Sequence, residues 1–332
     1  MAVLVTGAAG FVGSAVSLAL LARGEQVIGI DNINDYYDPQ LKRDRLARLV
    51  EAGGSRFDFQ QVDFADHEAL EAALASKTFD RIVHLGAQAG VRHSINDPRA
   101  YLMSNVAGHL NLLEVARHRQ VKHMVYAPSS SVYGGNTTVP FSVDHRVDSP
   151  LSLYAATKKA DELMSEAYSN LYQLPLTGLR FFTVYGPWGR PDMAVWLFTK
   201  AILEGTPIDV FGEGNMRRDF TYIDDAVSGI ILSLDNPPKV DGKTKPGGST
   251  NPHRIYNIGN RRSEELGYLI RLIEKACNHP AKLRLLPMQP GDVRDTFADL
   301  GGIQDDIGFK TTVDLAEGVS SFVEWYRAYH GI

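Results

Sequence analysis

Ala2-Val3-Leu4-Val5-Thr6-Gly7-Ala8-Ala9-Gly10-Phe11-Val12-Gly13 stands near the start of the chain, and the order of its parts decides the fold. The apolar, partly β-branched run from Ala2 to Thr6 reads as a buried parallel strand. Gly7, Gly10 and Gly13 follow at a regular spacing, then an apolar-periodic helix that stops near Arg23 at Gly24. Gln26 to Ile30 is a second strand, closed by Asp31. Glycines in the first turn of such a strand-helix-strand unit let the backbone approach a pyrophosphate, while the helix N-terminus adds amide donors and a favourable dipole. An acid at the end of the second strand suits a ribose 2′-hydroxyl and repels a 2′-phosphate. The unit therefore predicts NAD rather than NADP.

The alternation continues outward. Asp58 to Val62 reads as a strand, Asp66 as the cap of a helix to about Ser76, and Arg81 to Leu85 as strand four. A long helix is expected over about 98–119, a fifth strand over Lys122 to Ala127, a helix over 152–172 and a sixth strand over Leu176 to Phe181. This pattern predicts an α/β protein: a Rossmann-type doubly wound parallel sheet with a smaller C-terminal α/β lobe. Residues 1–182 form the nucleotide half, with segments at about 221–235 and 254–260 returning to it, and 183–332 mainly form the lobe. Asn236 to Asn251, rich in Pro, Gly, Lys and Ser, reads as a mobile surface loop.

The chain has 332 residues, 44% hydrophobic and 22% charged, within the range of globular enzymes. Its net charge of −5 disfavours non-specific binding to nucleic acid. The single cysteine, Cys277, excludes an internal disulfide framework, and the ten histidines show no metal-ligand spacing, so no metal is expected. No run of about 18 apolar residues is present, so no membrane span is expected. The chain enters a strand without a basic region or cleavage site, and a cytoplasmic location is expected.

Ser152-Leu153-Tyr154-Ala155-Ala156-Thr157-Lys158 carries the candidate chemistry. Tyr154 and Lys158 are one turn apart on one helical face. An ammonium about 5 Å from a phenol, at an effective dielectric of ~20, favours the phenolate by roughly 3 kcal/mol. The pair can thus supply a base near neutral pH. The bare pattern also arises where a half-buried Tyr lies beside a solvated Lys.

With Gly-x-x-Gly-x-x-Gly at residues 7–13 and Tyr154-x-x-x-Lys158 downstream, the chain resembles the extended short-chain dehydrogenase/reductase family over nearly its whole length. The resemblance implies Tyr154, Lys158 and Ser129 as catalytic residues, with Ser130 and Ser131 as rivals for the place of Ser129. It implies NAD held by Gly7, Ala9, Gly10, Phe11, Val12, Gly13, Asp31, Asn32, Asp63, Phe64, Leu85, Gly86, Ala87, Gln88, Asn105, Tyr154, Lys158 and Phe181. Asn105 reads equally well as a polar residue facing solvent. The implied substrate set is Ser129, Ser130, Ser131, Thr183, Arg190, Arg218 and Asp292. In that set Arg218 takes a diphosphate, with Arg217 its rival, and Arg190 reads alternatively as a surface cation. Family members pair through two long helices, here about 98–119 and 152–172, which implies a homodimer.

Neighbouring residues choose among family branches. Sugar-nucleotide 4,6-dehydratases carry an Asp-Glu pair, and nucleotide-sugar decarboxylases a Glu, before Val-Tyr-Gly. Here Ser130-Ser131 precede Val132-Tyr133-Gly134, which points to a 4-epimerase. Asp31-Asn32-Ile33-Asn34-Asp35-Tyr36-Tyr37-Asp38, Ala87-Gln88-Ala89-Gly90-Val91-Arg92 and Tyr185-Gly186-Pro187-Trp188-Gly189-Arg190-Pro191-Asp192-Met193-Ala194 resemble the UDP-glucuronate 4-epimerase branch, as do Leu286 to Val293. Thr183 and Gln289 stand where glucose-type 4-epimerases usually carry Asn and Arg. The implied activity is reversible conversion of UDP-glucuronate to UDP-galacturonate through a 4-keto sugar, with tightly bound, recycled NAD. The alternatives are a UDP-glucose 4-epimerase, another UDP-sugar-modifying enzyme of the family, or a non-enzymatic NAD sensor of the same fold.

Overall fold

The computed structural model describes residues 2–288 and 293–332. The opening unit is β1 (Ala2–Thr6), α1 (Phe11–Ala22) and β2 (Gln26–Asp31). It continues through α2 (Pro39–Gly53), β3 (Phe57–Gln61), α3 (His67–Leu74) and β4 (Phe79–His84). Two short helices, α4 (His93–Asn96) and α5 (Pro98–Tyr101), lead through a wide π-helical stretch at Leu102–Ala107 into α6 (Gly108–His118). Then come β5 (His123–Tyr126), α7 (Leu153–Tyr172), β6 (Leu176–Phe181) and the short β7 (Thr183–Tyr185). The C-terminal part contains α8 (Ala194–Glu204), β8 (Pro207–Phe211), β9 (Arg217–Arg218), β10 (Phe220–Tyr222), α9 (Ile223–Asp235) and β11 (His253–Ile258). It ends with β12 (Glu264–Glu265), α10 (Leu266–Cys277), β13 (Lys282–Leu286), α11 (Gly301–Ile307) and α12 (Leu315–His330).

Seven parallel strands form one sheet in the order β11-β6-β5-β4-β1-β2-β3. β1 shows why both faces are covered. Val3 and Val5 pack into one core and Ala2 and Leu4 into the other, as the two-residue period of a strand requires. Burying such a Val or Leu contributes about 1.5–3 kcal/mol. Chain order reverses where β1 lies between β2 and β4. Thr6 pairs with Ile30 on one side and His84 on the other, so the C-terminal ends of the three strands meet there. In open α/β sheets such a reversal leaves a crevice at those ends.

α7 starts where Ser152 Oγ accepts a hydrogen bond from the Ala155 amide at 3.1 Å, a cap worth about 1 kcal/mol. α2 is not among the elements expected above, because Lys, Arg, Asp and Glu dilute its inward stripe of Leu41, Arg45 and Leu49. The expected helix over 98–119 is interrupted by its π-helical stretch. β11 extends the sheet beyond β6 and pairs with it along all six residues from His253 to Ile258. Residues 236–252 contain no helix or strand. The C-terminal lobe is tied together by small ribbons: β7 with β10, β8 with β13, and β9 with β12.

Candidate active site

A cavity of about 1110 Å³ lies at the crevice, between the sheet and the C-terminal lobe. Sites for single small ligands span roughly 300–1,000 Å³, so this one lies just above that range. Its described lining includes Gly7, Gly10, Phe11, Val12, Gly13, Asp31, Asn32, Phe64, Leu85, Gly86, Ala87, Gln88, Ser129, Ser130, Ser131, Tyr154, Lys158, Phe181, Thr183, Arg190 and Arg218. Ala9, Asp63 and Asn105 are not part of that lining, and Asp292 lies outside the described residues.

At the first end the wall is mostly backbone. Gly7 has φ +68°, and a Cβ on it would meet the Gly86 amide nitrogen at 2.8 Å. A Cβ on Gly13 would sit 2.0 Å from the Gly7 carbonyl oxygen. These contacts leave room for hydrogen only. Asp31 Oδ2 accepts from the Ala9 amide at 3.1 Å and Oδ1 from the Ile33 amide at 2.8 Å. Burial pushes its carboxyl above the ordinary range, opposed by those amides and by Lys42. Asp63 is exposed and accepts from Asn32 Nδ2 at 3.1 Å, which fixes the Asn32 side chain beside Asp31.

At the centre, Tyr154 and Lys158 project from α7 into the same cavity. The Tyr154 ring stands edge-on to Tyr101, with centroids 5.9 Å apart. Asn105, in the π-helical stretch, is buried rather than facing solvent. Its Oδ1 accepts from the Gln88 amide at 2.9 Å, and its Nδ2 donates to Gln88 O and to Thr157 Oγ1, both at 3.0 Å. Asn105 therefore ties the loop after β4 to the helix that carries Tyr154, and the π-helical widening coincides with that duty. Ser129 Oγ accepts from the Ser131 amide and donates to Ser131 Oγ, both at 3.1 Å. This capped turn sets Ser129, Ser130 and Ser131 together on the cavity wall.

The other end is built from distant segments. Arg190 forms a two-pronged pair with Asp192, Nε to Oδ1 at 3.0 Å and Nη2 to Oδ2 at 2.6 Å. Tyr36 donates its hydroxyl to Asp192 Oδ2 at 3.1 Å, and the Arg190 guanidinium lies over the Tyr36 ring. Arg190 thus belongs to the cavity wall rather than to the open surface. Burial pushes the Tyr36 phenol up to about 12, and the Asp192 charge adds to this. Arg218 donates to the carbonyls of Arg217 and Arg294 at 2.9 and 3.2 Å, while Arg217 pairs with Glu265.

Several residues here were not expected from the sequence. Arg45 is fully buried on α2 and donates to Ala9 O, to Tyr37 Oη, and to Trp188 O and Gly189 O. One guanidinium thereby joins the glycine turn to the turn carrying Arg190. Lys42 lines the cavity and donates to Asn34 O and Oδ1. A signal was present: Lys42 and Arg45 fall on the inward stripe with Leu41 and Leu49. Nothing in the sequence announces the meeting of Tyr36 with Asp192. Among the described residues no group of three His, Cys, Asp or Glu could hold a metal ion, and no helix is long and apolar enough to cross a membrane.

A model of the NAD dependent epimerase/dehydratase family matches residues 3–259. The chain is 48% identical to UDP-glucuronate 4-epimerase 6 of Arabidopsis thaliana, an alignment covering 100% of this chain and 73% of that one. It is 45% identical to a probable UDP-glucuronate 4-epimerase of Rhizobium meliloti, over 98% of this chain and 97% of that one. Among solved structures it resembles UDP-glucuronic acid 4-epimerase from Bacillus cereus in complex with UDP-glucuronic acid and NAD. That match has a TM-score of 0.88 and 32% identity, over 99% of this chain and 100% of that one.

Proposed function

The chain belongs to the NAD dependent epimerase/dehydratase family, and from that premise we propose that it converts UDP-glucuronate reversibly to UDP-galacturonate. The observation that carries this reading is the make-up of the cavity. Tyr154 and Lys158 share it with the hydroxyls of Ser129, Ser130, Ser131 and Thr183, while each described carboxylate lining it is already engaged. Asp31 holds the backbone of the glycine turn, Asp192 holds Arg190 and Tyr36, and Asp209 pairs with Arg284. An elimination needs a base to take a proton from carbon and an acid for the leaving hydroxyl, and a decarboxylation needs an acid to protonate the enolate carbon; a 4-epimerisation needs none of these.

The glycine turn, with space for hydrogen only at Gly7 and Gly13, fits a pyrophosphate, and Asp31 fits a ribose diol. Bound there, NAD would supply a hydride acceptor and donor for carbon four of the sugar. The protein's own residues do the rest. Tyr154 as phenolate takes the proton of the 4-hydroxyl and returns it to the epimer. Lys158 favours the phenolate and is the residue to hold the nicotinamide ribose. Ser129 donates to the reacting oxygen. Oxidation at carbon four places a ketone beta to the sugar carboxylate, and such an acid loses carbon dioxide when its carbon–carboxylate bond aligns with the carbonyl π system. Thr183, Ser130 and Ser131 can hold the carboxylate out of alignment through hydroxyls, which still let the keto sugar turn. Arg218, which lines the cavity, is assigned to the diphosphate, and Asp292, outside the described residues, to the uridine ribose.

We assign residues 1–182, with 221–235 and 254–260, to NAD, and most of 183–332 to the UDP-sugar. The protein is a cytoplasmic homodimer in this reading. Leu102, Met103 and Leu110 lie exposed on the 98–118 helical segment, and Leu153, Leu163 and Leu171 on α7. Those helices adjoin, with Tyr168 Oη donating to Glu114 at 2.6 Å, and we assign their exposed apolar side chains to contact with a second copy. Light scattering should give twice the chain mass, and Leu163→Glu should halve it. The function itself is tested by kcat/KM for UDP-glucuronate, UDP-glucose and UDP-xylose side by side. UDP-glucuronate should be fastest, with little UDP-pentose formed. Faster turnover of UDP-glucose would instead support a glucose 4-epimerase.

A further inference from the structure

Lys158 has an ion-pair partner behind the cavity wall. Asp161, nearly one turn further along α7, holds Oδ2 at 3.2 Å from Lys158 Nζ, with the two side chains only 2% and 5% exposed. Asp161 Oδ1 has no hydrogen-bond partner among the described residues. Buried carboxylates ordinarily gather several donors; for Asp161 the hydrogen bond is to the ammonium that Tyr154 also needs.

We propose that Asp161 is a positioning residue that sets the pH range in which Tyr154 works, because the Asp161 carboxylate and the Tyr154 phenolate compete for the single positive charge of Lys158. The inference rests on Tyr154 being the base.

Most of the other titratable groups around the pair keep one charge state near neutrality, and on the cavity side the Arg190 cation, paired with Asp192, also acts on Tyr154. Burial, then the Lys158 charge, drives His84 at the end of β4 down to about 3. Burial likewise holds His109 on α6 well below its ordinary value and Tyr126 on β5 well above. Tyr101 and Tyr133 are also raised by burial. Burial acts to raise Glu162, but Arg180 of β6, donating to it at 2.7 Å, and Lys159 keep it below the usual carboxylate range. His253 of β11 is bonded to Tyr126 and Glu166. Asp161 differs from these: burial pushes it up to about 7, opposed by Lys158.

Two acids therefore share the Lys158 ammonium. Ionising both sets two negative charges against it, so their protons leave in two steps that belong to the pair. While Asp161 keeps its proton, Lys158 acts fully on Tyr154. Once Asp161 ionises, part of that charge is neutralised and the phenolate forms less readily.

Asp161→Asn removes the charge while keeping the shape. Asp161 and Tyr154 are seven positions apart on the helix, about 10.5 Å at ~1.5 Å per residue. At an effective dielectric of ~20 this corresponds to a shift of roughly one pH unit. The NAD-loaded enzyme is assayed with UDP-glucuronate between about pH 5 and 9. The acid limb of kcat should move roughly one unit lower in the variant and sharpen to a one-proton limb. Tyrosinate absorbance, taken as the difference from Tyr154→Phe in each background, should move equally. A limb that stays in place or moves upward overturns the proposal, even if kcat falls. Normal turnover in Tyr154→Phe alone would instead overturn the base assignment. If Asp161→Asn fails to fold, Asp161→Ser gives the same two readings.

Discussion

The two ends of the cavity are built by opposite means. The end assigned to the dinucleotide centres on consecutive residues, Gly7 to Gly13, where a Cβ on Gly7 or Gly13 would meet backbone atoms. The sugar end is made from side chains brought together over long separations: Tyr36 from the loop after β2, Ser129 to Ser131 from the loop after β5, Thr183 on β7, and Arg190 with Asp192 before α8. The first end is shaped by close backbone contacts. The second is held in part by the Arg190–Asp192 ion pair and its bond from Tyr36. A sugar that must turn over within the site needs the second kind of wall, and a cofactor that stays bound is served by the first.

Substitutions should separate the ends. The largest effect falls where they meet. Tyr154→Phe should lose about 10²–10⁴-fold in kcat while the purified protein still carries NAD, measured by turnover and by chromatography of the heat-denatured supernatant. Finding NADP as the main species there would overturn the role given to Asp31. Gly13→Ala comes next. Its new Cβ would lie 2.0 Å from a backbone oxygen, and such overpacking costs about 1–3 kcal/mol or more. Co-purified NAD should be lost, and added UDP-glucuronate should not restore it.

Asp192→Asn acts on the sugar end alone. Freed from its carboxylate partner, Arg190 should grip an anionic sugar more firmly and hinder its turning. KM for UDP-glucuronate should fall and kcat should fall with it, each by up to about tenfold, or ~1.4 kcal/mol, with NAD content unchanged. A change in NAD content would show that the two ends are not separable. Arg45, bonded to both turns, is the residue through which they would be coupled.

The smallest effect concerns stability. Burial raises Asp161 from 3.8 to about 7, so the folded chain keeps a proton that the unfolded chain releases near the lower value. This group's contribution is complete below about pH 4 and is lost as pH rises toward 7. Asp161→Asn should flatten that part of the melting-temperature profile. An unchanged slope would show that Asp161 does not titrate in that window.

The same contrast explains what the sequence made legible. The glycine turn, Asp31 and the Tyr154–Lys158 pair are local patterns, and local patterns report local geometry. The sheet followed from alternating apolar runs, including the return of β11. α2 escaped because its charged residues hide a short inward stripe, and two of those charges, Lys42 and Arg45, turn out to be buried. β7, β9, β10 and β12 are two or three residues long and exist only through their partners. The Arg190–Asp192–Tyr36 cluster joins positions more than 150 apart, and no spacing rule in one sequence reports such a meeting. Asp161 stands three residues beyond Lys158, outside the motif, and its bond to that lysine is decided by burial and rotamer, not by type.

The central claim is that hydride leaves carbon four of UDP-glucuronate and returns to the same carbon on its other face, without loss of the carboxylate. UDP-glucuronate deuterated at carbon four tests it most directly. Incubated with the enzyme in ordinary water and followed by nuclear magnetic resonance and mass spectrometry, it should yield UDP-galacturonate that retains the deuterium at carbon four and keeps its carboxylate. Deuterium washed out to solvent, or UDP-pentose as the main product, would contradict the account.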